Sequence, residues 1–197
     1  MADFWDFIER LEFSEGAELT ETMLRHIFHS IPAASRIEKA TEDADRDGTD
    51  YWVHRLHGLP SISIDMKNRE FCPIERYGSD DVCIETTSIY RGPNDRQWLD
   101  NFRIVPGWTI NDKKRTDLVV YTWPHKKDLF AEEYVRFWIL YFPHLCAATQ
   151  RKWREWAKQY GEKPALNRDY LTLSIYVPRK VVASEIRVFT AGNIPIL

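Results

Sequence analysis

Two short stretches hold residue types that could do chemistry together. In SISIDMKNRE (residues 61–70), an acid and a base, Asp65 and Lys67, stand two apart in an apolar, β-branched run. In GTDYWVH (residues 48–54), a second acid, Asp50, opens another run of the same kind. Alternate residues of a strand share a face. Asp65 and Lys67 therefore face one way, in line with Ser63 and Arg69, while Ile62, Ile64 and Met66 face a core. The turn HGLP between the runs is short enough for an antiparallel pair, which brings Asp50 beside Asp65 and Lys67. Two converging carboxylates repel unless a cation lies between them, and hard oxygen ligands favour Mg²⁺ or Mn²⁺. Such an ion can polarise a phosphoryl oxygen and lower the pKa of a water. A nearby lysine can orient that water or stabilise charge growing on the phosphate. The combination suits phosphodiester hydrolysis. Its bland alternative is a same-face ion pair on an exposed strand, which contributes little.

These residues need elements to position them. Residues 1–42 read as N-terminal helices. Phe4, Phe7, Ile8 and Leu11 form a helical stripe over 3–12, and Ser14 suits the N-cap of a helix over 15–29 with Leu19, Met23, Leu24 and Ile27 inward. Ile31-Pro32 interrupts it, and a helical stretch over 33–41 leads into the acidic turn EDADRDG. Residues 50–125 hold the motif strands: DYWVHRL, SISIDMK and DVCIETTSIY as a three-strand meander, a polar loop containing GPND and VPGW, then TDLVVYTW. YVRFWILYF reads as another strand, with a buried helix as the alternative. Residues 144–197 give a helix, HLCAATQRKWREWAKQYG, stopped at Gly161, then the strand YLTLSIYVP and a closing helix that starts at Pro178. With no repeat or linker, residues 1–197 read as a single domain of α/β (α+β) class, a central mixed β-sheet flanked by helices.

Composition narrows the class further. The 197 residues are 44% hydrophobic and 29% charged, with 8 Trp, 9 Tyr and 10 Phe, which fits a globular core and excludes a disordered chain. No window approaches the roughly 18 apolar residues of a membrane span, and MADFWDFIERLEF lacks the pattern of a signal peptide. Cys72, Cys83 and Cys146 have no zinc-like spacing and cannot form a closed set of disulfides; a reducing cytoplasm is the simplest setting. The net charge of −3 is uneven: residues 1–50 carry 13 acids and 5 bases, residues 151–180 carry 8 bases and 3 acids. The second stretch permits a polyanionic partner, although basic runs are commonly solvated helix faces. GxxxxGK[ST], GxGxxG, GxSxG and HExxH are all absent, so kinase-like, dinucleotide, esterase and zincin chemistry lack support.

The order helix, Asp, strand, turn, (Asp/Glu)-x-Lys resembles the PD-(D/E)xK nuclease superfamily, the restriction-endonuclease-like fold. Thr49-Asp50 stands where that family has Pro-Asp, and Asp65-Met66-Lys67 where it has (D/E)-x-K. Glu38 matches a glutamate that many members contribute from a preceding helix. The likeness covers roughly residues 33–125, and the helix at 144–160. It implies a metal-dependent nuclease, acting on DNA or, less often, RNA, with Asp50, Asp65, Lys67 and Glu38 as catalytic residues. Asp50 and Asp65 would ligate Mg²⁺ or Mn²⁺, with Glu85 of CIETTS as a further acid. Arg69 and the run Lys113-Lys114-Arg115 are candidates for phosphate contact. Trp108 could stack on a base or cover a small satellite core. Nucleases of this fold often act as homodimers. The second reading is a catalytically inactive module of the same fold, binding nucleic acid or a protein partner, as a phage- or plasmid-type accessory protein would.

Overall fold

An apolar stripe and a proline set the first element. Helix α1 (Ala17–Ser30) buries Met23, Leu24 and Ile27 on one side. It ends where Ser30 Oγ donates to the carbonyl of His26 and Pro32 removes the next backbone donor. The computed structural model describes residues 17–46, 48–68, 81–90, 102–125, 134–166, 170–187 and 189–195. The helix expected over 3–12 and the Ser14 cap lie outside them.

The segment after α1 departs from the helix that its sequence suggests. Residues 33–41 form an extended strand instead: β1 (Ala34–Lys39) begins after Ala33, whose φ of 61° turns the chain out of helical geometry. The segment has one apolar anchor, Ile37, and no helical stripe. Pairing with β2 (Tyr51–Arg55), Ile37 opposite Val53, satisfies its backbone and buries that anchor. Helical propensity yields here to a tertiary ladder. The acidic turn holds a single helical turn, α2 (Glu42–Arg46).

Strand β3 (Ile62–Asn68) pairs antiparallel with β2, as the short turn requires. The turn has left-handed residues at His57 (φ 59°) and Gly58 (φ 69°), and Leu59 N–H donates to Leu56 O. Two successive positive φ values match the twist of a hairpin. On its other edge β3 runs parallel to β6 (Leu118–His125), which is antiparallel to β7 (Tyr134–Tyr141). The sheet order is β1-β2-β3-β6-β7-β10, with β10 (Phe189–Pro195) closing the edge beside β7. It is thus a mixed sheet. Helix α1 covers one face, where Met23, Leu24, Ile27, Ile37, Tyr51, Val53, Ile64, Val120 and Phe137 form a core. Each such side chain contributes roughly 1.5–3 kcal/mol by leaving water.

DVCIETTSIY is a strand, β4 (Asp81–Tyr90), but the expected meander does not form. Its partners are β5 (Arg103–Pro106) and β9 (Tyr170–Pro178), in a second sheet of order β5-β4-β9-β8, where β8 is Glu162–Leu166. Every neighbouring pair in it is antiparallel. Helix α3 (Phe142–Tyr160) and helix α4 (Arg179–Glu185) pack on β9. Leu145, Ala148 and Trp156 of α3 are buried, and the helix stops at Gly161 (φ 75°), whose N–H donates to Ala157 O. Pro178 precedes α4 as expected, but the chain continues into β10 rather than ending on that helix. The chain forms two compact units: Met1–Gly78 with Arg115–Tyr141 and Val188–Leu197, and Ser79–Lys114 with Phe142–Arg187. No helix among the described residues is long and apolar enough to cross a membrane.

Candidate functional site

The alternation along β3 is as the sequence requires. Ile62, Ile64 and Met66 pack toward α1, while Ser63, Asp65 and Lys67 occupy the opposite face. Lys67 Nζ lies 2.7 Å from Asp65 Oδ1, the aspartate only 4% exposed and the lysine side chain 37% exposed.

Asp50 joins them through the backbone. Its N–H donates to Ile64 O and its carbonyl accepts from Ala40 N–H, each at 2.8 Å, so it extends the β2–β3 ladder by one rung. The next rung is made by its side chain: Oδ2 accepts from Met66 N–H at 2.6 Å. The Asp50 carboxyl thereby comes within hydrogen-bonding reach of the Asp65 carboxyl. Its pKa is raised. Burial is the largest cause, followed by the charge of Asp65; the hydrogen bond shared with Asp65 adds to both. The Met66 N–H and the Lys67 ammonium pull the other way without prevailing. Two carboxylates in contact, compensated by one ammonium, hold an excess negative charge that a proton or a cation can relieve.

A second polar cluster holds this pair in place. Ser63, 1% exposed, donates its N–H to Asp117 Oδ2 at 2.9 Å. Its hydroxyl proton is shared between Arg115 O at 2.7 Å and Asp117 Oδ2 at 2.9 Å, and its Oγ accepts from Asp117 N–H at 2.8 Å. The Arg115 carbonyl also accepts from Thr49 Oγ1 at 3.3 Å, and the Thr116 hydroxyl donates to Gly48 O. Residues 115–117 therefore grip the chain just before Asp50 and just before Asp65. Reasoning from sequence singles out neither these hydroxyls for this role nor Asp117. One signal is present: Thr116-Asp117 heads β6 as Thr49-Asp50 heads β2.

The remaining candidates lie elsewhere. Glu38 is on strand β1, not on a helix, and its carboxylate leans toward the hairpin end of β2. There it takes His54 Nε2 and an Arg36 guanidinium nitrogen, both at 2.9 Å, while His54 Nδ1 meets Ser61 Oγ at 3.0 Å. Glu85 belongs to β4 of the four-stranded sheet, and its carboxylate accepts from Ser88 Oγ at 2.6 Å. Lys113 and Lys114 follow a turn closed on Asn111, in the unit that holds β4, while Arg115 is exposed and its backbone belongs to the grip on β3. Arg69 lies outside the described residues. Trp108 stacks on Phe142, ring centres 5.9 Å apart, and so packs within its unit. Among the described residues no group of three or more metal-ligating side chains forms. Comparison with family models, with curated proteins and with solved structures finds no match.

Proposed function

We propose that the chain is a metal-dependent nuclease that hydrolyses phosphodiester bonds, DNA in preference to RNA, on a restriction-endonuclease-like core. The observation that carries this reading is that the Asp50 carboxylate takes the Met66 N–H at 2.6 Å, between Asp65 and Lys67, whose side chains are themselves paired at 2.7 Å. The donor set fits a hard divalent ion, since it offers two carboxylates with one positive neighbour. Asp50 and Asp65 would hold Mg²⁺ or Mn²⁺, helped by the backbone carbonyl of Met66. When bound, the ion supplies Lewis-acid polarisation of a phosphoryl oxygen. The rest of the chemistry belongs to the chain. Lys67, whose side chain is partly exposed, turns from Asp65 to orient the attacking water and to stabilise charge on the phosphate. Arg115, exposed beside the grip on β3, takes a neighbouring phosphate. In-line attack leaves a phosphomonoester. Glu38, engaged by His54 and Arg36, and Glu85, on the other sheet, are not needed in this scheme.

The test is incubation of the pure protein with linear, circular and single-stranded DNA and with RNA, in Mg²⁺ or Mn²⁺. Cleavage should require the ion and fall at least about 10²-fold in Asp65→Asn and in Lys67→Ala. Full-rate cleavage by either variant sinks the assignment. Absence of cleavage, together with no rise in melting temperature at millimolar Mn²⁺, favours the inactive binding module, because an ion bound to the fold must stabilise it.

A further inference from the structure

We infer that Ser63 and Asp117 are positioning residues that set the spacing of the carboxylate pair, an inference that rests on the metal-site reading above. The geometry is specific. A single carbonyl, that of Arg115, accepts from the hydroxyl of Thr49, which adjoins Asp50, and from that of Ser63, two residues before Asp65. Asp117 then fixes Ser63 from both ends: its carboxylate takes the Ser63 N–H and shares the Ser63 hydroxyl proton, and its own N–H donates to Ser63 Oγ and to the Ser63 carbonyl. Thr116 secures Gly48 on the same side. The two acid-bearing segments are thus referenced to one short piece of chain, residues 115–117, and not merely to each other.

This arrangement is needed because the β2–β3 ladder alone does not fix the Asp50 side chain. Regular pairing of the two strands ends at Tyr51 opposite Ile64. Beyond it Asp50 is held to β3 by one backbone bond to Ile64 O and one side-chain bond from Met66 N–H, and to the chain after β1 by the Ala40 N–H. The grip on Thr49 and Gly48 supplies the restraint missing from the open end of the hairpin. Ser63 is almost wholly buried, so its hydroxyl must be satisfied internally, and replacing it leaves polar partners stranded. Groups that orient metal ligands without touching the ion commonly change affinity by about 10–100-fold.

The test uses the full chain and four variants: Ser63→Ala, Asp117→Ala, Asp117→Asn and, as a control for simple loss of stability, Leu24→Ala in α1. Two quantities are read, Mn²⁺ affinity by calorimetry and hydrogen exchange at the Met66 amide without metal. Ser63→Ala and Asp117→Ala should weaken Mn²⁺ binding about tenfold or more and speed exchange at Met66. Asp117→Asn keeps the accepting oxygen and should stay within about threefold of wild type on both measures. Leu24→Ala lowers stability from the other face of the sheet without moving the acids, so it should keep Mn²⁺ affinity within about threefold and speed Met66 exchange only as far as its loss of global stability requires. If Asp117→Asn lost as much affinity as Asp117→Ala, the charge of Asp117 would act on the ion directly and the positioning role would be overturned. Unchanged affinity and exchange in Ser63→Ala and Asp117→Ala would overturn it as well. If no variant, nor the wild type, bound Mn²⁺ while Met66 exchange rose in Ser63→Ala and Asp117→Ala by more than their loss of global stability accounts for, the grip would stand and the metal reading would fall.

Discussion

Asp50 is the residue at which charge and stability meet. Its carboxyl is partly buried near Asp65, and its pKa lies above the ordinary aspartate value, through lost hydration first and the charge of Asp65 second. A group whose folded pKa is raised favours the fold when protonated, so its stabilisation is present at low pH and is lost as pH rises through the folded pKa. In metal-free buffer, Asp50→Asn should therefore raise stability at neutral pH, on the order of 1 kcal/mol, by replacing a repulsion with an amide-to-carboxylate hydrogen bond. It should also abolish any Mn²⁺-induced shift in melting temperature. Urea unfolding at several pH values checks the first effect: the gain should shrink as pH falls toward the ordinary aspartate range. Thermal melts with and without Mn²⁺ check the second. Much of this site is legible in the sequence, because period two along SISIDMK and a short turn are local rules. Asp117 is not, since 54 residues separate it from Ser63 and no local pattern links them.

At the scale of elements, short strands are the hardest to read. RIVP, EKPAL and FTAGNIP carry proline or glycine and little alternation, yet each forms a strand because an existing edge offers it a ladder. β1 hides from sequence reasoning for a related reason: its one buried residue, Ile37, gives no period at all, and only pairing with β2 decides its conformation. Glu38 goes with it, and so sits on the exposed face of an edge strand rather than on a helix. The alternation of β4 marks it as a strand without naming its partners, since which sheet a strand joins is a non-local choice. One glycine settles how the loop after β5 meets β4. A Cβ on Gly107 would lie 2.5 Å from Glu85 O and 2.7 Å from the Thr86 carbonyl carbon, both backbone atoms. The close approach also carries a hydrogen bond from Gly107 N–H to Thr86 O at 2.9 Å. Gly107→Ala should cost about 3 kcal/mol, the upper range for overpacking, read as a lowered urea midpoint with tryptophan emission as the probe.

At the scale of the whole molecule, the six-stranded sheet is assembled from separated lengths of chain. Its last strand, β10, pairs with β7 from Phe189–Leu140 to Pro195–Tyr134. Gly192 sits against the Phe137 ring, where an added Cβ would stand 3.1 Å away. A chain ended at residue 187 would bare that ring and the edge of β7. It should lose about 10 °C or more in melting temperature, with loss of strand signal in circular dichroism. The fold class is legible from the alternation of element types; the division into two sheets is not, because no linker or repeat marks where one ends and the other begins. The parallel pairing of β3 with β6 has a last consequence, for the order of synthesis. Asp50 and Asp65 emerge on a two-strand hairpin, a structure of marginal stability by itself. Residues 115–117, which fix their spacing, leave the ribosome only after β4 and β5 have been made. A nascent or prematurely ended chain that stops short of residue 115 therefore carries both acids without the residues that fix their spacing.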